Sequence, residues 1–323
     1  MEKAAQYCMA KIREVDFDRL PISDYNRSYI RDLIPQLDYR FLIYTQTLSL
    51  FPQHRPEDKF IVDFGGGHGF LSFFLKRLGY RVIYCDRNPL SVETVTCLKE
   101  PFSEGPDYIV QGSTPELIRF CREENLNPDF LIATDLIEHV YDLSAFFQDL
   151  KILNPSLEMN FTTSSNPLNW YKNRRLRTYM TEDEKIFLTQ RHDFIAENYP
   201  ELSPQKSEQM ARLCRGKIYA DIRKAVDLYR ETGVLPEELP DRFNTCDPAD
   251  GNWTERILPF GEYIKLADAA GFKTSFAMGF YNETRNNKLF AAIFYGLNRF
   301  IKRFPRAGRC LAPYILIRLS PST

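Results

Sequence analysis

Apolar positions near the start of the chain recur at helical spacing, as Ile30, Leu33, Ile34 and Leu37 and then Phe41, Leu42 and Tyr44. That period predicts helices over residues 1–57, forming an N-terminal lid or brace. At Phe60 the pattern changes. Phe60-Ile-Val-Asp-Phe64 is a short apolar run stopped by glycines, which predicts a buried strand. Helical and strand patterns then alternate: helix 69–78, strand 81–85, helix 89–99, strand 108–111, helix 115–124, strand 130–134, helix 143–152 and strand 157–163. Repeated strand–helix–strand units imply an α/β domain with a parallel sheet and helices on both faces.

The rhythm fails between residues 164 and 253, where the sequence is polar, aromatic and mostly helical in period, broken by proline and glycine. An insertion of that length predicts a helical cap over the carboxyl edge of the sheet. Alternation resumes with a helix over 259–270, stopped by Gly271, and a strand over 273–280. A basic amphipathic helix and a last strand over 312–319 follow. The expected organisation is a helical lid (1–57), a main domain assembled from 58–165 and 254–323, and an inserted cap (166–253) that takes the substrate.

Charge narrows the choice of partner. The chain of 323 residues carries 42 Lys and Arg against 43 Asp and Glu, so no general nucleic-acid coat is indicated and no nucleic-acid partner is expected. The longest near-apolar run, 290–297, is far shorter than the ~20 residues of a membrane span. Met1 to Tyr7 shows no basic segment leading into an apolar one, which reads as a cytoplasmic protein. Seven scattered cysteines without a Cys-x-x-Cys pair indicate a reduced compartment and no metal site.

Candidate chemistry concentrates where the first strand meets the first helix of the sheet, in Asp63-Phe-Gly65-Gly66-Gly67-His68-Gly69-Phe70. Glycines remove Cβ atoms and tolerate positive φ, so a ligand can lie against bare backbone near the free N–H groups of a helix start. A dinucleotide fingerprint would need a third glycine at position 70, where phenylalanine stands. The spacing is instead G-x-G-x-G, preceded by the carboxylate of Asp63, which suits a cationic ligand better than a pyrophosphate. Asp86, followed by Arg87, ends the second strand 17 residues after Gly69, about where an acid that reads ribose hydroxyls belongs. Asp86 can also serve as a helix cap ahead of Pro89. Adenosine with a positive, non-phosphate tail describes S-adenosylmethionine better than NAD.

On these residues the chain resembles the class I S-adenosylmethionine-dependent methyltransferases, within the broad small-molecule and glycan methylase group. Asp63 to Gly69 corresponds to the family's first motif, Asp86 to the acid ending its second strand, and Gln111-Gly112-Ser113 to the turn that faces adenine, with serine where an acid often stands. The segment Asp129 to Val140, with Asp135 and the pair Glu138-His139, resembles the region of the fourth strand. The resemblance implies a Rossmann-like doubly wound sheet, mostly parallel with an antiparallel last strand. It also implies S-adenosyl-L-methionine as cofactor, held by Asp63, Gly65, Gly66, Gly67, His68, Gly69, Asp86, Arg87, Gly112, Ser113 and Asp135.

Methyl transfer from a sulfonium is an in-line displacement whose main requirement is alignment. A hydroxyl acceptor would also need a base, for which His139, Asp135 and His192 are the candidates. His139 reads equally as a structural residue, and His192 reads more readily as a helix-surface residue than as a base. In the insertion, Trp170, Tyr171, Lys172, Arg174, Arg175, Arg177 and Tyr179 form an aromatic and cationic group suited to a carbohydrate or an anion, or simply a solvated face. Trp253 lines the same substrate pocket or anchors packing. From Thr284 to Cys310 there are seven Lys or Arg and no acid, with apolar residues at helical spacing. Residues 285–306 could meet an anionic membrane or a lipid-linked acceptor, or pack on the sheet. The reading is a methyltransferase acting on a small-molecule or glycan-like acceptor, most simply at oxygen. A nicotinamide-dependent oxidoreductase and a non-catalytic cofactor-binding partner protein are the alternatives.

Overall fold

The computed structural model describes residues 1–283 and 287–322. Three N-terminal helices, α1 (Glu2–Glu14), α2 (Asp24–Leu33) and α3 (Leu37–Leu48), precede β1 (Phe60–Phe64). The alternating region follows as α4 (Phe70–Arg77), β2 (Arg81–Asp86), α5 (Pro89–Phe102), β3 (Tyr108–Gln111), α6 (Thr114–Glu123), β4 (Phe130–Thr134), α7 (Leu143–Leu153) and β5 (Glu158–Thr163). The insertion forms α8 (Trp170–Asn198), α9 (Pro204–Leu213) and α10 (Tyr219–Thr232). α11 (Phe260–Ala269), β6 (Phe272–Met278), α12 (Lys288–Arg303), the single turn α13 (Pro305–Gly308) and β7 (Ile315–Pro321) complete the chain.

The strands form one sheet in the order β3-β2-β1-β4-β5-β7-β6. The first five run parallel, while β7 lies antiparallel between β5 and β6. This is the doubly wound, mostly parallel sheet with an antiparallel last strand that the resemblance implies. Local chemistry sets the element boundaries. The Asn88 side chain accepts from Leu90 N–H ahead of Pro89 and so starts α5, and Ser113 with Glu116 closes a capping box at the start of α6. Ahead of both, α4 buries Phe70, Leu71, Phe73, Phe74 and Leu75 against β1 and β2, each side chain contributing about 1.5–3 kcal/mol.

Two compact units emerge: Met1–Ile137 with Ser144–Ser164 and Gly261–Thr323, and a second made of Glu138–Leu143 and Ser165–Phe260. The first holds the sheet and the N-terminal helices. α2 is tied to α5 by Asn26, which donates to Leu90 O at 2.7 Å and Thr94 Oγ1 at 2.8 Å. α3 is tied to β5, where Asn160 Nδ2 donates to Thr47 O at 3.0 Å, and to the end of β6, where Gln46 Nε2 donates to Met278 O at 3.1 Å. In the second unit, Ile195, Tyr199, Met210, Ala211, Cys214, Ile222 and Val226 form a core of their own. No helix among the described residues is long and apolar enough to cross a membrane.

Candidate active site

The strand order reverses between β1 and β4, and at such a switch point the loops beyond the two strands diverge and leave a crevice. The glycine loop leaves β1 there, and Asp135 follows β4. Asp63 is buried at the end of β1 and accepts from Ser72 Oγ at 2.7 Å. Burial pushes its carboxyl up to about 7, with the bond from Ser72 opposing and the charge of Asp86 adding. Gly67 N–H donates to Asp86 Oδ2 at 2.8 Å, and Tyr84 Oη–H donates to Gly67 O at 2.5 Å. Asn88 N–H donates to Asp86 Oδ1 at 2.8 Å, so Asp86 orders the turn ahead of α5, but the helix cap is Asn88 and not Asp86, because no N–H inside the helix reaches the Asp86 carboxylate. A carboxylate has about four acceptor sites, which leaves Asp86 capacity for two hydroxyls.

The glycines do different work. Gly67 has φ +53°, and a Cβ added there would meet no atom within 4 Å, so the loop leaves open space beside its backbone. Gly69 has φ +79°, and its Cβ would come within 2.4 Å of Val95 Cγ2, so it is the close-packing position between the start of α4 and α5.

His68 sits between two aromatic rings, Phe70 at 4.0 Å and 19° and Tyr29 at 5.7 Å and 29° between planes. Burial, followed by the charge of Arg40, pulls its pKa down to about 3, so the imidazole is neutral at physiological pH. Its Nδ1 is buried and has no hydrogen-bond partner among the described residues. Orphaned buried polar atoms cost about 1–3 kcal/mol and call for a partner. A polar ligand lying along the loop would provide one, so the residues present fit a nucleoside with a polar tail.

Asp135 adopts φ +52°, a conformation that costs energy away from glycine and is tolerated best by Asp and Asn. Its carboxylate pairs with Arg40 Nη1 at 2.5 Å. Arg40 on α3 and Tyr29 on α2 are the site residues that sequence reasoning missed. Their only local signal is a cation and an aromatic within amphipathic helices, and nothing in their own segment says what they face. On the ribose side of the loop, Gly112 N–H donates to Asp86 O at 2.9 Å. Ser113 donates through both N–H (2.8 Å) and Oγ (2.9 Å) to Glu116 Oε2, so its hydroxyl is engaged in capping α6. Arg87 is exposed.

In the second unit His139 ends a short 3-10 turn, Ile137–His139. Its Nδ1 lies 2.7 Å from Trp253 O, and since a carbonyl only accepts, Nδ1 is the donor in this bond. Trp253 is buried, donates from Nε1 to Tyr141 O at 3.2 Å and lies under the Arg256 guanidinium at 4.5 Å, which is the packing-anchor arrangement. Trp170 and Tyr171, at 71% and 73% exposed, stand with Arg174 and Arg175 on an open face of α8. Arg177 faces the Phe243 ring at 4.8 Å. His192, also on α8, has Nδ1 3.3 Å from Asp193 Oδ1.

No family model matches the chain. Among curated proteins it is similar to the human mitochondrial ubiquinone biosynthesis O-methyltransferase, with 31% identity over 121 residues covering 36% of this chain. The chain spans about a third of that relative, 32% of its length. Among solved structures it is similar to an S-adenosylmethionine dependent methyltransferase from Mesorhizobium loti, at TM-score 0.42 and 12% identity over 85% of this chain and 96% of that one. A SAM dependent methyltransferase from Archaeoglobus fulgidus gives TM-score 0.40 and 13% identity over 88% and 94%. Scores of that size describe partial superposition, and the fold rests on the chain's own strand order. With a reversal between β1 and β4, an antiparallel β7 and a glycine loop at the switch point, the chain has the Rossmann-like fold implied by its resemblance to the class I methyltransferases.

Proposed function

We propose that the protein is an S-adenosylmethionine-dependent methyltransferase. The observation that carries this reading is the set of groups gathered at the switch point. Open backbone at Gly67 adjoins the ribose-competent carboxylate of Asp86, and the unpartnered Nδ1 of His68 and the Arg40–Asp135 pair lie on the same unit. An amino acid zwitterion has one group for each member of an Arg–Asp pair, and a ribose has two hydroxyls for Asp86. Phe70, buried against His68, occupies the position where a dinucleotide loop needs glycine, which disfavours the nicotinamide reading.

The cofactor, when bound, supplies a methyl group on a sulfonium centre. In this reading Asp63, Gly65 to Gly69 and Asp86 hold it, Gly112 shapes the adenine side, and Arg40 with Asp135 receives the amino acid end. The acceptor in this reading is a small or glycan-like molecule methylated at oxygen, and its proton goes to His139. The Nδ1–H bond to Trp253 O supports that role, because it fixes the tautomer whose Nε2 can accept a proton. The exposed Trp170, Tyr171, Arg174 and Arg175 suit the non-reacting part of the acceptor. The test is incubation with methyl-labelled cofactor and fractionated cell extract. Label in one chemical fraction, lost with Asp86→Ala, is the expected result; no transferred label in any fraction overturns the reading.

A further inference from the structure

The basic helix near the end of the chain is not accounted for by packing. Thr284, Arg285 and Asn286 lie outside the described residues. In α12, only Ile301 is buried, while Phe294 stacks on Tyr281 at 5.0 Å and Asn298 exchanges hydrogen bonds with the Tyr281 backbone at 2.7 and 2.9 Å. Those three residues share one side of the helix and fasten it. The adjoining side carries Leu289, Phe290, Ile293 and Phe300, joined just beyond the helix by Phe304, all 39–68% exposed. At 100° per residue, Leu289, Ile293 and Phe300 fall within about 40° of one another, so the exposed apolar groups form a continuous stripe rather than scattered positions.

Charge identifies what covers that stripe. Between Asn287 and Cys310 the cations are Lys288, Arg299, Lys302, Arg303, Arg306 and Arg309, with no Asp or Glu, in a chain whose overall charge is close to neutral. Lys288, Arg299 and Arg303 lie on the far flank of the stripe from the fastening residues. An apolar face bordered by cations matches the boundary of an anionic bilayer, with side chains entering the acyl region while guanidinium groups stay among the headgroups. A partner helix of ordinary mixed charge would not call for a segment with one sign only.

We infer that α12 and the turn after it dock the protein onto an anionic lipid membrane through Leu289, Phe290, Ile293, Phe300 and Phe304, flanked by Lys288, Arg299 and Arg303. The inference does not depend on the methyltransferase reading. It is tested by co-sedimentation of the full chain with vesicles of phosphatidylcholine alone and of phosphatidylcholine mixed with phosphatidylglycerol. Pelleting with the mixed vesicles only, weakened by added salt, is expected, because screening shortens the reach of the headgroup charge. Ile293→Glu with Phe300→Glu should lower vesicle affinity at least about tenfold, since acids replace apolar groups facing an anionic surface. Arg299→Glu with Arg303→Glu should remove the preference for the anionic lipid. All four positions are exposed, and an unchanged circular dichroism spectrum verifies that the variants fold. Equal pelleting with both vesicle types, no pelleting at all, or undiminished binding by the Ile293/Phe300 variant overturns the inference. So does a concentration-dependent dimer that Ile293→Glu dissociates, because the stripe would then belong to a second copy of the chain.

Discussion

At the scale of single residues, the carboxylate of Asp86 fixes the loop by accepting from Gly67 and Asn88. In the proposed reading its remaining acceptor sites take the ribose hydroxyls. Asp86→Ala should weaken S-adenosylhomocysteine binding by about 10- to 100-fold in a calorimetric titration, the worth of one or two charge-assisted hydrogen bonds. Gly69→Ala is a packing change. It combines φ +79° with a 2.4 Å approach to Val95, and should cost about 1–3 kcal/mol in urea unfolding. His139→Gln should lower kcat by about 10²- to 10⁴-fold and leave cofactor affinity unchanged, if the acceptor is a hydroxyl. Two buried groups give stability an opposed pH dependence. Asp63 holds its proton more tightly when folded, about 7 against an ordinary 3.8, so its contribution is full below pH 3.8 and is lost as pH rises through 7. His68 is the reverse, about 3 against 6.5, with a contribution present above 6.5 and lost as pH falls toward 3. Urea unfolding across that window should show Asp63→Asn gaining stability relative to the wild type as pH rises, and His68→Gln gaining relative stability as pH falls.

At the scale of elements, the strands and helices of the sheet were legible because each carries its own signal. Phe130 to Thr134 is an uninterrupted apolar run, and the Asn88-Pro89 and Ser113-Thr-Pro-Glu116 starts announce their helices. The strand boundaries read from sequence agree with the structure to within a few residues. What lay outside reach was contact across distance. The N-terminal segment reads as amphipathic helices, but its local pattern does not say that Asn26 reaches α5 or that Arg40 reaches the end of β4. Asn26→Ala should cost about 2 kcal/mol in urea unfolding, because Thr94 and Leu90 O both lose a buried donor. The same limit applies to α12. Its apolar period was plain, but whether the period faced the sheet or solvent depended on how few residues the sheet takes up.

At the scale of the whole molecule, the class of fold followed from the alternation of strand and helix, and the order of strands follows from right-handed crossovers on either side of β1. The proposed ligand class came from the glycine spacing and the acid at 86, because those residues lie close in sequence and meet through one local hydrogen bond. The acceptor has no such local signature. Its groups would come from side chains on separate segments, and an exposed cluster such as Trp170 to Arg175 reads the same from sequence whether it meets a ligand or water. Cofactor identity is therefore the claim on which the rest depends. The direct measurement is a calorimetric titration of the full chain with S-adenosylhomocysteine and, separately, with NADH. Saturable one-to-one binding of S-adenosylhomocysteine without heat from NADH is the predicted result; saturation by NADH and no heat from S-adenosylhomocysteine would contradict the account.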